Sequence, residues 1–243
     1  MSDLAIDRDY RRGDRGAKVR LIQEWLTLND VAVVPDGKFG AATEAAVLAF
    51  QKRRRLTTNG VVATRTFEAL IEPMKRVLVD VPRKANLGAT VVAFAKQHLK
   101  AHPREVGGEN EGPWVRLYMN GNEGAQFPWC AGFACFVLRQ ACARQGVGIP
   151  ITPSVSCDSL AASAQRNGLF VREASADHTL VKPGSLFLNR RTPADWTHVG
   201  IVTSASAEFF STIEGNTNDQ GSREGFEVCA RTRGYVSKDF IVF

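Results

Sequence analysis

No run of about eighteen or more apolar residues occurs anywhere in the 243-residue chain, which argues against a membrane-spanning helix and against insertion into a bilayer. The amino terminus, Met1-Ser2-Asp3-Leu4-Ala5-Ile6-Asp7-Arg8-Asp9, is acidic and has no apolar stretch of the secretory kind, so synthesis in a cytosol without a signal peptide is expected. Cysteine is scarce. The five present are an odd number and include no C-x-x-C pair, which argues against a zinc ribbon and, with a cytosolic origin, for reduced thiols. Cys135 and Cys142 fall in an apolar helical run and read as small buried hydrophobes; Cys157 and Cys229 carry no distinguishing context. There are four histidines. His98 and His102 stand four apart, as in a helical metal site, but the glutamate of H-E-x-x-H is missing, with Gln97 before and Leu99 after. A solvated or capping role near a helix end is expected for them, and no metal or other cofactor. His178 follows Asp177 in a loop with no evident partner.

Positive charge is not lacking: the formal net charge is +6. Its one dense cluster, Lys52-Arg53-Arg54-Arg55, has no aromatic or groove-reading residues beside it, so it reads as a solvated helix end rather than a nucleic-acid surface. Apolar residues make up 44% of the chain, enough for one large core or two modest ones.

Residues 1–72 read as a compact helical unit. Gly13-Asp14-Arg15-Gly16 precedes Val19, Leu21, Ile22, Trp25 and Leu26 at amphipathic spacing. Pro35-Asp36-Gly37-Lys38-Phe39-Gly40 is a turn, Thr43 opens a second helix through Ala46, Val47 and Phe50, and Asn59-Gly60 leads to a third helix from Thr64 to Leu70. Trp25, Phe39 and Phe50 are expected in the core. Gly13-Asp14, Ile22-Gln23, Asp36-Gly37-Lys38-Phe39-Gly40-Ala41-Ala42-Thr43, Ala46-Val47-Leu48-Ala49-Phe50-Gln51 and Asn59-Gly60 with Thr66 together resemble the peptidoglycan-binding type 1 domain. That resemblance implies a three-helix bundle and bacterial peptidoglycan as partner. Ala63 departs from the glycine more usual there, which predicts a tighter or less regular second turn.

Residues 73–86, with Pro73 and Pro82, read as a linker, and 87–243 as a second domain. A helix is expected from Val91 to Leu99, a Gly/Asn-rich segment over 105–126 wrapping toward the site, and helices over 129–144 and 158–167. Strands are expected over 185–188, 196–203, 208–214, 227–232 and 240–243.

Pro128 suits the first turn of a helix, and Phe133, Phe136, Val137 and Ala141 recur beyond it, so Cys130 sits where free N–H groups and the helix dipole favour a thiolate. On position alone it could equally be a buried structural cysteine. His198 lies in a strand-like run and Glu214 in the next. A hairpin turning in 204–207 would place them opposite each other, with the acid fixing the imidazole tautomer. In that register Trp196 opposes Asn216. Trp196 shields the His–Glu pair or floors a substrate subsite, or simply packs on the sheet.

The contexts Trp129-Cys130-Ala131-Gly132-Phe133, His198-Val199-Gly200-Ile201-Val202 and Ile213-Glu214-Gly215-Asn216 resemble the CHAP family of cysteine, histidine-dependent amidohydrolases and peptidases, over roughly residues 88–220. The lead-in from Glu105 to Pro113 resembles one subgroup. The resemblance implies an α+β fold, with a papain-like domain whose central helix packs on an antiparallel sheet. It also implies Cys130 as nucleophile, His198 as base and then acid, Glu214 as orienting group, and Asn216 as a completing polar residue that orients His198 or contacts the acyl oxygen. Trp129 and Trp196 are expected substrate contacts. Gly132 replaces the usual alanine, and the Asp-rich calcium loop of some members is missing.

Together the two resemblances imply a monomeric peptidoglycan amidase or endopeptidase acting at the cell wall or periplasm, of phage-endolysin type. A secreted wall-degrading toxin and a non-catalytic wall-binding virion protein are the alternatives.

Overall fold

The structure, a computed structural model, describes residues 2–173, 178–218 and 225–243. Asp177 lies outside the described residues, as does the side chain of His178, whose backbone belongs to a short 3-10 turn, His178–Leu180.

The first helices are α1 (Ala17–Leu28), α2 (Ala41–Arg53) and α3 (Thr64–Leu70). Two glutamines explain why the motifs recur at this spacing. Gln23, fully buried on α1, donates through Nε2 to Asp36 Oδ1 and Thr43 Oγ1, both at 2.9 Å, and accepts from Gly37 N at 2.8 Å. Gln51 on α2 repeats this, donating to Thr66 Oγ1 at 3.2 Å and accepting from Asn59 N and Gly60 N at 3.0 Å. Each buried amide thus ties a turn to the start of the next helix. Ala63 leaves this second clamp regular: it precedes α3 at φ −86°, close to the −88° of Gly40 before α2, so no glycine is required. Trp25, Phe39 and Phe50 are buried.

The segment expected as a linker is bound along its length. It carries α4 (Glu72–Val77), which packs against α5 (Leu87–Ala101). Gln140 donates to Val77 O (2.6 Å), Gln97 to Val79 O (3.0 Å) and Arg144 to Val81 O (2.7 Å). Met74, Val77 and Val81 are buried, and their apolar surface is what holds this stretch down.

Next come α6 (Pro113–Tyr118), which was not foreseen in 105–126, then α7 (Cys130–Gln145) and α8 (Cys157–Arg166). The strands are β1 (Phe170–Val171), β2 (Leu186–Thr192), β3 (Asp195–Ala205), β4 (Phe210–Thr217), β5 (Glu227–Arg233) and β6 (Lys238–Ile241). They form one antiparallel six-stranded sheet in the order β1-β6-β2-β3-β4-β5. The chain is thus α+β, with α7 packed on β3 and β4. Leu186, Leu188, Val199, Ile201 and Ile213 face the helices. Phe187, Val202, Phe210, Tyr235 and Phe240 form a smaller cluster.

The apolar core is continuous from α1 to the sheet, and Trp25 meets Trp114 edge to face with ring centroids 6.0 Å apart. Around that contact Arg116 pairs with Glu24 (2.7 Å), Asp3 (2.6 Å) and Glu123 (2.6 Å), and Arg20 pairs with Glu111 (2.6 Å).

Two sequence expectations change here. His98 is not solvated: it is fully buried, with Nδ1 2.8 Å from Tyr118 OH and Nε2 2.9 Å from Gln140 Oε1. Its partners come from α6 and α7, which helical spacing alone does not show. Burial depresses its pKa to about 4, so the ring is neutral. The unfolded chain binds the extra proton, so the stability His98 confers is complete above its ordinary value of 6.5 and is lost as pH falls toward 4. Urea titrations from pH 7 to pH 4 should show a loss on the order of 3 kcal/mol from this residue, absent in His98→Gln. An equal loss in the variant would contradict it. His102 caps α5 at φ 50° and places Nε2 2.5 Å from Glu227.

Gly132 has a packing reason rather than a loosening effect. A Cβ there would lie 2.6 Å from Tyr118 O and 2.7 Å from Met119 Sδ, where the end of α6 crosses α7. Gly132→Ala gains about 1 kcal/mol of helix propensity and meets overpacking of about 1–3 kcal/mol. A lower denaturation midpoint is expected; an unchanged or higher one would mean the α6 backbone yields freely.

Candidate active site

The helix carrying Cys130 is held at its start. Trp129 precedes it and donates its backbone N–H to Asn216 Oδ1 at 3.0 Å and its indole N–H to Glu105 Oε1 at 2.8 Å. Asn216 is in the left-handed region at φ 52°, a conformation asparagine adopts more readily than most residues. Its amide also donates to Asn110 Oδ1 at 3.2 Å. The 105–126 segment thus does reach this region, through Glu105 and Asn110. Cys130 is the first residue of α7, so its backbone N–H has no partner one turn back.

His198 is aimed by a bulge. Asn189 pairs with His198 but Arg190 pairs with Trp196, so Thr197 is the extra residue on β3. The hairpin expected from the sequence puts His198 directly opposite Glu214; the strand register does not. Ile201 pairs with Ile213 and Val202 with Thr212, an offset of two residues, and a second bulge follows at the Val202/Ser204 step. An offset of two keeps both side chains on one face, and His198 Nε2 reaches Glu214 Oε2 diagonally at 2.8 Å. Gly200 makes room for this, since a Cβ there would lie 2.6 Å from Glu214 Cγ.

Glu214 has no exposed surface. Its carboxylate accepts from His198, from Arg233 Nε (2.6 Å) and Nη2 (2.5 Å), and from Thr212 Oγ1 (2.5 Å). Burial opposes its charge, but Arg233 and then His198 outweigh burial and hold the pKa down at about 2. Nothing in the sequence around Arg233 marks it, because only the β4–β5 pairing brings it to Glu214.

With Nε2 committed to Glu214, His198 has Nδ1 left for the thiol. Burial opposes a charged imidazole, but Cys130 and Glu214 together raise it to about 9. The Cys130 thiol is drawn well below its usual range, first by Cys157, whose sulfur is 4.0 Å away, and against the effect of burial by His198 and the Val199 N–H. Both directions favour a thiolate beside an imidazolium, the pairing that cysteine nucleophiles use.

The remaining sequence-selected residues lie elsewhere. Trp129 is fully buried and stacked on Tyr118 at 5.5 Å, and Trp196 is 7% exposed, packed edge to face on Phe170 with its indole N–H donated to Asp239 (2.8 Å). Neither ring is open to a substrate. The bonds of Asn216 run to Trp129, Glu105, Asn110 and Gly225. Among the described residues no group of three or more His, Cys, Asp or Glu side chains is arranged to hold a metal ion, and no helix is long and apolar enough to cross a membrane.

Residues 15–70 match the family model described as "Putative peptidoglycan binding domain". No curated protein matches the chain. Among solved structures, a peptidoglycan-binding protein from Clostridioides difficile in complex with glutamine hydroxamate is 35% identical over 26% of this chain and 40% of that one, with a TM-score of 0.26. The SleB N-terminal domain is 28% identical over 28% of this chain and 93% of that one, with a TM-score of 0.27. The endolysin of Burkholderia AP3 phage is 28% identical over 38% of this chain and 33% of that one, with a TM-score of 0.26. This chain therefore spans well under half of the first and third. Likenesses of this strength carry no argument about the chain as a whole.

Proposed function

We propose that this chain is a peptidoglycan hydrolase that cleaves an amide through Cys130, His198 and Glu214, an endolysin-type enzyme acting at the cell wall. The observation that carries this reading is the His198 imidazole held by Glu214 through Nε2 beside a Cys130 thiol whose pKa is depressed. The match of residues 15–70 to a peptidoglycan-binding family supports the choice of substrate.

In this reading residues 1–72 bind the wall and 87–243 form a papain-like catalytic domain. The Cys130 thiolate adds to the amide carbonyl, and the Cys130 N–H at the start of α7 donates to the oxyanion. As the tetrahedral adduct collapses, Nδ1 of His198 gives its proton to the leaving amine and the thioester remains. His198 then takes a proton from water, the hydroxide adds to the thioester, and the acid leaves with Cys130 restored. Glu214 keeps the imidazole oriented and favours its charged form. Asn216, through Trp129 N, positions the start of α7.

Mass spectrometry of fragments released from purified peptidoglycan, with Cys130→Ala as control, tests the reading. Free stem peptides with bare glycan identify an amidase, and cut stems still attached to muramic acid identify an endopeptidase. If the wild type releases nothing yet pellets with walls, the chain is a binding protein and the enzyme reading is lost.

A further inference from the structure

We infer that Cys130 and Cys157 form a reversible, peroxide-driven disulfide that switches the site off, with Cys157 as the resolving thiol. The inference takes the role of Cys130 in hydrolysis from the reading above, but the disulfide itself does not depend on it.

The geometry is specific to this pair. No disulfide links any of the five cysteines, all of them buried, and the Cys130 and Cys157 sulfurs lie 4.0 Å apart. An approach of about 2 Å brings them to the disulfide length of roughly 2.05 Å. Each is the first residue of its helix, α7 and α8, so two helix amino termini converge on the two sulfurs. Both starts are anchored. Asn216 holds Trp129 N ahead of Cys130, while Ser156 caps α8 by accepting from Ser159 N at 3.3 Å. Asp158 accepts from Trp196 N at 2.7 Å, which ties the start of α8 to the strand that carries His198. The thiols are therefore held together by their supporting elements, not by a chance rotamer. Cys135 is otherwise engaged, since its S–H donates to Ser154 O at 3.2 Å.

The chemistry balances with a peroxide as oxidant. The Cys130 thiolate displaces hydroxide from hydrogen peroxide and becomes a sulfenic acid. The Cys157 sulfur attacks that sulfur, the S–O bond breaks, and the Cys157 proton leaves with the hydroxyl as water. Two thiols have lost two electrons and the peroxide has gained them. Thiolate character at Cys130 speeds the first step, while the neighbouring Cys130 sulfur and burial push the Cys157 thiol well up, so it keeps the proton that departs with the hydroxyl. A thiol such as dithiothreitol reverses the linkage by exchange.

The test exposes the full chain to hydrogen peroxide, blocks remaining thiols, and maps peptides without reduction. Trypsin separates residues 117–139 from 145–166, and chymotryptic cleavage after Phe133 separates Cys130 from Cys135. The expected result is a Cys130–Cys157 linked peptide, loss of wall hydrolysis, and its return with dithiothreitol. In Cys157→Ala and Cys157→Ser, Cys130 should instead proceed to sulfinic acid, with no return of activity. Wild-type Cys130 reaching sulfinic acid without a link, or a Cys157 variant recovering as fully as wild type, overturns the inference. Wild-type mapping decides the matter even if a variant fails to fold. A link that forms in a chain with no hydrolase activity leaves this inference standing and removes the enzyme reading. Hydrolysis without a link does the reverse.

Discussion

With His198 replaced by alanine, amide turnover should fall by about four orders of magnitude while the chain still pellets with cell walls. Two contributions disappear at once. The leaving amine loses its proton donor, and the Cys130 thiolate loses a cation that favours it. Cys157 and the Val199 N–H remain, so the thiol pKa should rise only part of the way to its ordinary range. The rate of Cys130 alkylation by iodoacetamide against pH reads this directly, its midpoint moving up in His198→Ala. Wild-type hydrolysis should decline above about pH 9, where His198 gives up its proton, and the residual activity of the variant should lack that limb. A loss of less than about tenfold with an unmoved alkylation profile would mean that His198 does not serve Cys130.

Removing Arg233 should lower stability and shift the pH profile. Glu214 is wholly buried and Arg233 meets it with two nitrogens, so Arg233→Ala removes one of its two cationic partners, at a cost of about 3 kcal/mol. Glu214 sits at about 2 in the fold against an ordinary 4.5, so its contribution is complete above pH 4.5 and lost as pH falls toward 2. Without Arg233 its folded value rises, and that loss shrinks. The guanidinium also lies 5.2 Å from the Phe187 ring, so Arg233→Met keeps much of the apolar contact and isolates the charge. Urea unfolding at neutral pH should show both variants weakened, with Arg233→Lys recovering only part because an ammonium lacks the two-pronged geometry. The alkaline limit of activity should not fall below 9 and should move up if anything, since Glu214 stays ionised there and His198 loses a neighbouring cation. Methionine at 233 with unchanged stability would refute the role.

What the sequence conveyed and what it hid divide along physical lines. Helix starts are local: Pro128 and the apolar spacing beyond it mark the start that the structure gives to Cys130. The buried glutamines, glycine turns and threonines of the first three helices are likewise a short-range code. Strand register is not local. Ser204-Ala205-Ser206 does not reveal that the turn falls beyond Ala205, before Phe210, which offsets His198 from Glu214, and nothing around Thr203 or Thr197 announces the two bulges on β3. Arg233 and Cys157 have ordinary surroundings in the chain, and only tertiary pairing gives them neighbours in the site. The burial of His98 is hidden from the sequence for the same reason, its partners Tyr118 and Gln140 being 20 and 42 residues away. The two tryptophans stand beside the site residues in sequence, yet bury their rings in the core.

Arg116, with Glu24, Asp3 and Glu123 around it and the Trp25–Trp114 contact beneath, leaves the first helices no independent swing against the sheet. In the proposed reaction the fold then works as a ruler: the stand-off between the strand that is gripped and the bond that is cut is a constant of the molecule. A flexible tether would let one anchored enzyme graze a whole neighbourhood of bonds. On the proposed reading this chain would have to release and re-anchor for each new cut, which would tie its progress across a wall to how quickly the first unit lets go.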